Sequence, residues 1–325
     1  PLLKYRPIYN FLWLIEHFSS LKSIEKKRLQ ISSKIASKIT LDENERISNV
    51  NIETNISPRN FHKKYFHNPQ PVVFKGAAKK WSAYNKWSPD FFKNKYGETK
   101  VILFDASVNS LDSNEISETT IVNFKKFIEM MQSGSKEYVR FCPILDKNPE
   151  LLEHIDNNWL LNYSNSKSKG YKHQLFIGGK NTSTSIHSAI GSNLFVQIHG
   201  RKEWYIYDTY YNPLLQPKVD RSVFFRSNVS AKKPDDIFKK AKGWQVILEP
   251  GDILYNPPFF WHEVHNLDTT VGFGYRWFSF TEIIKSSIIK FILTLTATNP
   301  SIRKAKKLEE NFARVYEQVL SKSLK

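Results

Sequence analysis

The run from Thr184 to Trp204, T-S-I-H-S-A-I-G-S-N-L-F-V-Q-I-H-G-R-K-E-W, limits the fold more than any other part of the chain. Its first half alternates with the two-residue period of a strand, which puts His187 and Ala189 on one side. After a Gly-containing break, Asn193, Phe195 and Gln197 alternate with Leu194, Val196 and Ile198. His199-Gly200-Arg201 reads as a tight turn, and Lys202 to Tyr207 as the return strand of a hairpin. A histidine pointing inward between paired strands is a natural metal ligand. A carboxylate two residues later would complete such a site, and the chain carries Ala189 there.

Around this run, short strand-like segments crowd together: 174–177, 183–189, 193–198, 203–207, 244–248, 253–255, 261–265 and 271–280. Many short strands with turns between them predict a closed or sandwiched β architecture. The segment 209–243 between the two clusters is loop-rich and basic, a candidate lid with one helical stretch at Asp235–Lys240. The lead-in is mixed. Ser57-Pro58 and Ser88-Pro89 are helix starts, a cap followed by proline in the first turn. Segments 71–74 and 100–105 read as strands, 119–132 as an amphipathic helix, and 150–155 as a short helix.

Three regions are expected: a helical segment over 1–48, a main domain over 49–281 and a helical segment over 282–325. In the first, Phe11, Leu14, Ile15 and Phe18 share one helical face, and 41–50 is polar and reads as a linker. In the last, Ala305, Leu308, Phe312, Val315 and Val319 repeat at alternating spacings of three and four. That stripe serves either a homodimer seam or packing onto the main domain.

The chain has 325 residues, a net charge of +17 and one cysteine, Cys142. A lone cysteine excludes internal disulfides and cysteine-based zinc sites, and makes a reducing cytoplasm the default compartment. The positive charge fits an acidic partner, but the lysines are dispersed and no nucleic-acid-binding motif is present. No signal peptide is visible, and no apolar run is long enough to span a bilayer.

Of nine histidines, two stand in marked settings. One is His187. The other is His262, in G-D-I-L-Y-N-P-P-F-F-W-H-E-V, where tandem prolines stop one strand and the histidine opens the next. The two long motifs, N-L-F-V-Q-I-H-G-R-K-E-W and G-D-I-L-Y-N-P-P-F-F-W-H, together resemble the cupin-like JmjC domain of iron(II)- and 2-oxoglutarate-dependent oxygenases. The lead-in P-V-V-F-K-G-A and W-S-P-D-F-F resembles the same family, so the likeness runs over about 50–280. It implies a mainly β fold with α, a double-stranded β-helix (jelly-roll, cupin) core with N- and C-terminal helical extensions.

In that family iron(II) is held by two histidines and a carboxylate. The resemblance puts the histidines at His187 and His262 and the carboxylate position at Ala189. It makes Thr184, Asn193 and Lys202 part of the 2-oxoglutarate pocket, with Lys202 pairing the far carboxylate of the co-substrate. Arg276 is a further candidate for co-substrate or substrate contact, and equally for a structural salt bridge. Alanine cannot ligate iron. In the iron/2-oxoglutarate halogenases, a different branch of the superfamily, His-x-Ala or His-x-Gly leaves that place to chloride or bromide. Three readings stand: a halogenase chlorinating an unactivated carbon, a hydroxylase using O2 on a protein or small molecule, and a scaffold that has lost iron. Glu263, Asp208 and Glu203 are poor substitutes for the missing ligand, because each is out of phase with the inward face or lies beyond the strands.

Overall fold

The computed structural model describes residues 2–105, 121–165, 169–299 and 301. Its strands are, in chain order, β1 (Ile47–Asn49), β2 (Asn51–Glu53), β3 (Val72–Phe74), β4 (Lys100–Asp105), β5 (Ile121–Asn123), β6 (Glu137–Cys142), β7 (Lys169–Gly178), β8 (Ser183–Ser188), β9 (Ser192–His199), β10 (Lys202–Tyr207), β11 (Phe225–Arg226), β12 (Gly243–Leu248), β13 (Ile253–Asn256), β14 (Trp261–Asn266) and β15 (Thr270–Phe278). They form two sheets, ordered β1-β12-β10-β14-β8-β11 and β2-β3-β13-β9-β15-β7-β6-β4-β5. From β7 to β10, and again from β12 to β15, the chain passes back and forth between the sheets. This winding makes the core a double-stranded β-helix.

The winding overturns the hairpin reading. β9 pairs with β13 and β15, whereas β10 pairs with β12 and β14. His199-Gly200-Arg201 is therefore a corner that carries the chain from one sheet to the other. Gly200 has φ +66°, and a Cβ there would sit 2.1 Å from the carbonyl oxygen of Thr269, so only glycine fits. Adjacent strands joined by a short turn look alike in sequence whether they pair or change sheets.

Apolar side chains fill three layers. Leu194, Val196, Phe273 and Tyr255 face outward from the larger sheet, against a lead-in rich in buried aromatics such as Phe61, Trp87 and Phe92. Phe176, Phe195, Trp204, Ile206, Leu254 and Val264 fill the space between the sheets. Ile186, Tyr207, Phe259 and Trp261 face outward from the smaller sheet. Helices α1 (Leu2–Ser19) and α2 (Lys22–Ala36) and the C-terminal helix Ile288–Leu295 cover that outer face.

Several local readings change. The 41–50 linker contains β1, and the chain continues into β2; these strands pair in parallel with β12 and β3, so one short polar segment borders both sheets. The 119–132 helix begins only at Phe124, capped by Asn123, whose side chain accepts from the Lys126 amide; residues 121–123 are strand. Ser57 and Ser88 do cap helices, accepting from the amides of Asn60 and Phe91. In α1 the buried face holds Tyr9, Trp13, Glu16 and His17, while Phe11 and Phe18 are exposed. A buried Glu16–Arg28 ion pair, with Arg28 also donating to Tyr9 and to the carbonyl of Pro217, decides that orientation against the apolar stripe. The 209–243 segment is packed, with Leu214, Leu215, Phe225 and Phe238 buried, and its helical stretch shortens to a single 3-10 turn at Phe238–Lys240. The stripe from Ala305 to Val319 lies outside the described residues. No described helix is long and apolar enough to cross a membrane.

Candidate metal and co-substrate site

His187 on β8 and His262 on β14 are directly opposed across an antiparallel pair, and their ring centroids stand 4.1 Å apart. Both rings are tied at Nδ1. His187 Nδ1 donates to the Ser185 carbonyl at 2.8 Å, and His262 Nδ1 to the Phe260 carbonyl at 3.1 Å. A proton fixed on Nδ1 leaves Nε2 with its lone pair, the form that binds metal. Burial drives His262 down to about 4 and His187 well below the usual imidazole range, the latter also through its histidine neighbour. Both are therefore neutral at pH 7.

A bulge brings a third residue to this face. His187 opposes His262 but Thr184 opposes Val264, so Ser185 and Ile186 together face the single residue Glu263. The extra residue resets the alternation. Thr184 and His187, three apart and on opposite faces of a regular strand, both turn toward the inter-sheet space.

Lys202 on β10 projects into the same space and is 1% exposed. Its Nζ donates to the Tyr138 hydroxyl at 2.8 Å and lies 4.7 Å from the centroid of the Phe195 ring. No carboxylate pairs with it among the described residues, and burial lowers its pKa. Asn193, on β9, has a buried Oδ1 with no hydrogen-bond partner. On β15 the inward positions are Gly272, Gly274 and Arg276, since Phe273, Tyr275 and Trp277 pack outward. A Cβ on Gly274 would come 2.9 Å from Asn193 Oδ1, so the glycine keeps this floor open. Arg276 is paired in register with Asn193, stacks over Phe141, and adds positive charge near both histidines, as Arg140 does near His187.

These features fit 2-oxoglutarate: a buried ammonium with a hydroxyl beside it, an unpaired amide and a floor kept clear of side chains. They offer iron two protein ligands. Ala189 follows β8, and its carbonyl accepts from the Phe259 amide at 2.7 Å. No cluster of three or more His, Cys, Asp or Glu able to hold a metal exists among the described residues. The carboxylates that neighbour the site in sequence are spent elsewhere. Glu263 accepts from Ser230 and the Ala231 amide, Glu203 pairs with Lys232, and Asp208 caps the turn at Tyr210. His265 bonds to Glu263, and His173 to Asp146 and Asn157, which occupies both of its ring nitrogens.

Residues 58–282 match the family model described as a cupin-like domain. The chain belongs to the cupin-like domain family. This cupin-like chain is 26% identical over 237 residues to JmjC domain-containing protein D of Dictyostelium discoideum, covering 64% of this chain and 51% of that protein. It is 25% identical over 231 residues to Lysine-specific demethylase JMJ30 of Arabidopsis thaliana, covering 68% and 53%. It is 33% identical over 181 residues to HSPB1-associated protein 1 of Mus musculus, covering 53% and 36%. The chain thus spans about half the length of the first two relatives or less of the third. None of these three is named a halogenase.

Tyr138 and Arg140 were missed by sequence reasoning. Their strand, β6, comes from the lead-in and joins the edge of β7. The alternation E-Y-V-R-F-C was the available signal, but nothing local says that its tyrosine meets a lysine 64 residues away.

Proposed function

We propose that this cupin-like chain is an iron(II)- and 2-oxoglutarate-dependent oxygenase that hydroxylates an organic substrate. The observation that carries the reading is Lys202, a buried ammonium without a carboxylate partner among the described residues, in the same enclosed space as two neutral imidazoles with free Nε2 atoms. A lysine buried only for stability would be paired, because an uncompensated charge in a protein interior is costly. The demethylase names among the relatives favour a protein side chain as the substrate.

Iron with 2-oxoglutarate supplies, when bound, the oxidative decarboxylation to succinate and carbon dioxide that drives C–H oxidation by O2. His187 and His262 would hold the metal through Nε2, their orientation fixed by the Ser185 and Phe260 carbonyls. Lys202, with Tyr138, would bind the distal carboxylate of the co-substrate. Thr184 and Asn193 would orient it, and the aromatic wall of Phe176, Phe195 and Trp204 would exclude water. The third ligand would come from outside the chain.

A second reading rests on Ala189 itself. A site with no carboxylate leaves one more metal position to solvent or an anion, which is the arrangement a halogenase needs. One experiment tests both. Anaerobic titration of the chain with iron(II) and 2-oxoglutarate should give a visible charge-transfer band, and admission of O2 should release succinate. Product masses are then compared in chloride and bromide buffers. Products of unchanged mass support hydroxylation, and a bromide-specific mass shift establishes halogenation. No band and no succinate in either salt would reduce the chain to a scaffold.

A further inference from the structure

Twelve large apolar side chains are exposed among the described residues, and nine of them fall within 3–21 or 280–295, the two helical ends of the fold. Single exposed apolar residues are ordinary, but a concentration of this kind marks a contact face. On α1, Leu3, Phe11 and Phe18 share one side of the helix, opposite the buried Tyr9, Trp13 and Glu16. On the C-terminal helix Ile288–Leu295, Ile288, Ile292 and Leu295 share the side opposite the buried Lys290, Leu293 and Thr294. Each helix packs on the domain with one side and shows solvent an apolar other side, where a surface helix normally carries charge. The two helices meet at their C-terminal ends, where His17 Nε2 lies 3.2 Å from Thr296 Oγ1. Phe18 and Leu295 are the neighbours of those residues, so the exposed sides come together at this junction.

Charge decides what this face meets. Residues 1–40 hold eight lysines and arginines against two glutamates, so about an eighth of the chain carries about a third of its net charge of +17. Both glutamates are already paired, Glu16 with Arg28 in the interior and Glu25 with Lys22 at the surface. Lys4, Lys26 and Lys27 are exposed, and no carboxylate pairs with them among the described residues. Lys4 follows Leu3 on the exposed side of α1, and Lys26 and Lys27 lie just across the turn from Phe18. A second copy seated here by two-fold symmetry would bring two such basic clusters together, which opposes association. An acidic lipid surface has the complementary charge: apolar side chains enter the headgroup boundary while the lysines meet the phosphates. The contact runs along the helices, since no described helix is long and apolar enough to cross a membrane.

We propose that the exposed sides of α1 and the C-terminal helix dock the chain on an anionic lipid surface. The inference is independent of the metal site and stands whether or not iron binds. Burying one phenylalanine ring at the boundary is worth roughly tenfold in affinity, and each lysine near an acidic surface roughly fivefold.

The test sediments the full chain with vesicles of phosphatidylcholine alone and of phosphatidylcholine with phosphatidylserine in equal parts. The chain should bind the acidic vesicles more tightly by about tenfold or more, and raised salt should remove the preference. Phe11→Ser combined with Phe18→Ser should cut binding to the acidic vesicles about a hundredfold. Lys4→Gln combined with Lys26→Gln should cut it about twentyfold. Ile52→Ser is the control: Ile52 and Phe11 are each 60% exposed, but Ile52 lies on β2, and its loss should change nothing. All the altered positions are exposed, and circular dichroism checks each fold; if the serine pair misfolds, the glutamine pair decides. No binding to acidic vesicles, equal binding to both kinds of vesicle, or undiminished binding by either folded pair overturns the proposal. A dimer in sedimentation equilibrium that the serine pair dissociates, with no vesicle binding, assigns the face to a second copy and overturns it as well.

Discussion

Replacing Lys202 by methionine should move stability and co-substrate affinity in opposite directions. Methionine nearly matches the volume of lysine and suits the aromatic wall of Phe176, Phe195 and Tyr138. In the free chain, Lys202 is an ammonium in the interior with one neutral hydroxyl as partner, and burial lowers its pKa. Removing that charge relieves its desolvation, so the apo chain should gain about 1–3 kcal/mol. With 2-oxoglutarate the balance reverses. An ammonium and a carboxylate about 3 Å apart attract by roughly 5 kcal/mol at an effective dielectric of 20. Desolvating the ligand carboxylate takes back part of that, leaving about 3 kcal/mol, or about a hundredfold in affinity. Urea unfolding of the apo chain gives the first number, and calorimetric titration of 2-oxoglutarate into the manganese(II)-loaded chain gives the second. If Lys202→Met lowers apo stability and leaves affinity within threefold, Lys202 is a structural residue and the reasoning behind the pocket fails.

Two further outcomes follow from the same geometry. Ala189→Asp should supply the absent carboxylate and raise cobalt(II) affinity at least tenfold, while abolishing any effect of chloride on the spectrum; an unchanged affinity would mean that residue 189 does not reach the metal. The depressed pKa of His262 makes the apo chain acid-sensitive. The unfolded histidine, near 6.5, takes up a proton before the folded one, near 4, so this part of the stability is present above pH 6.5 and is lost as the pH falls toward 4. From pH 7 to 5 the loss through His262 alone is about 2 kcal/mol by denaturant unfolding, and His262→Gln should remove that share of the slope.

The sequence alone marked the candidate residues of the site. Strand-like runs with turns between them, two histidines in long motifs and an alanine two residues after the first of them are all local facts, and local facts survive in a one-dimensional string. It also marked the helix caps at Ser57 and Ser88, because a cap involves only three or four successive residues. Tertiary structure decided what depends on partners distant in the chain. The corner at Gly200 sends β10 to the other sheet, although a two-stranded hairpin would have the same alternation. The bulge at Ser185–Ile186 turns Thr184 toward the inter-sheet space, because the register against Val264 overrides the two-residue period. The buried face of α1 follows an ion pair to α2 and leaves two phenylalanines of the apolar stripe in solvent. Tyr138 meets Lys202 across 64 residues of chain, and no periodicity reports that. Pattern records which residues can be inside; packing alone settles which of them touch.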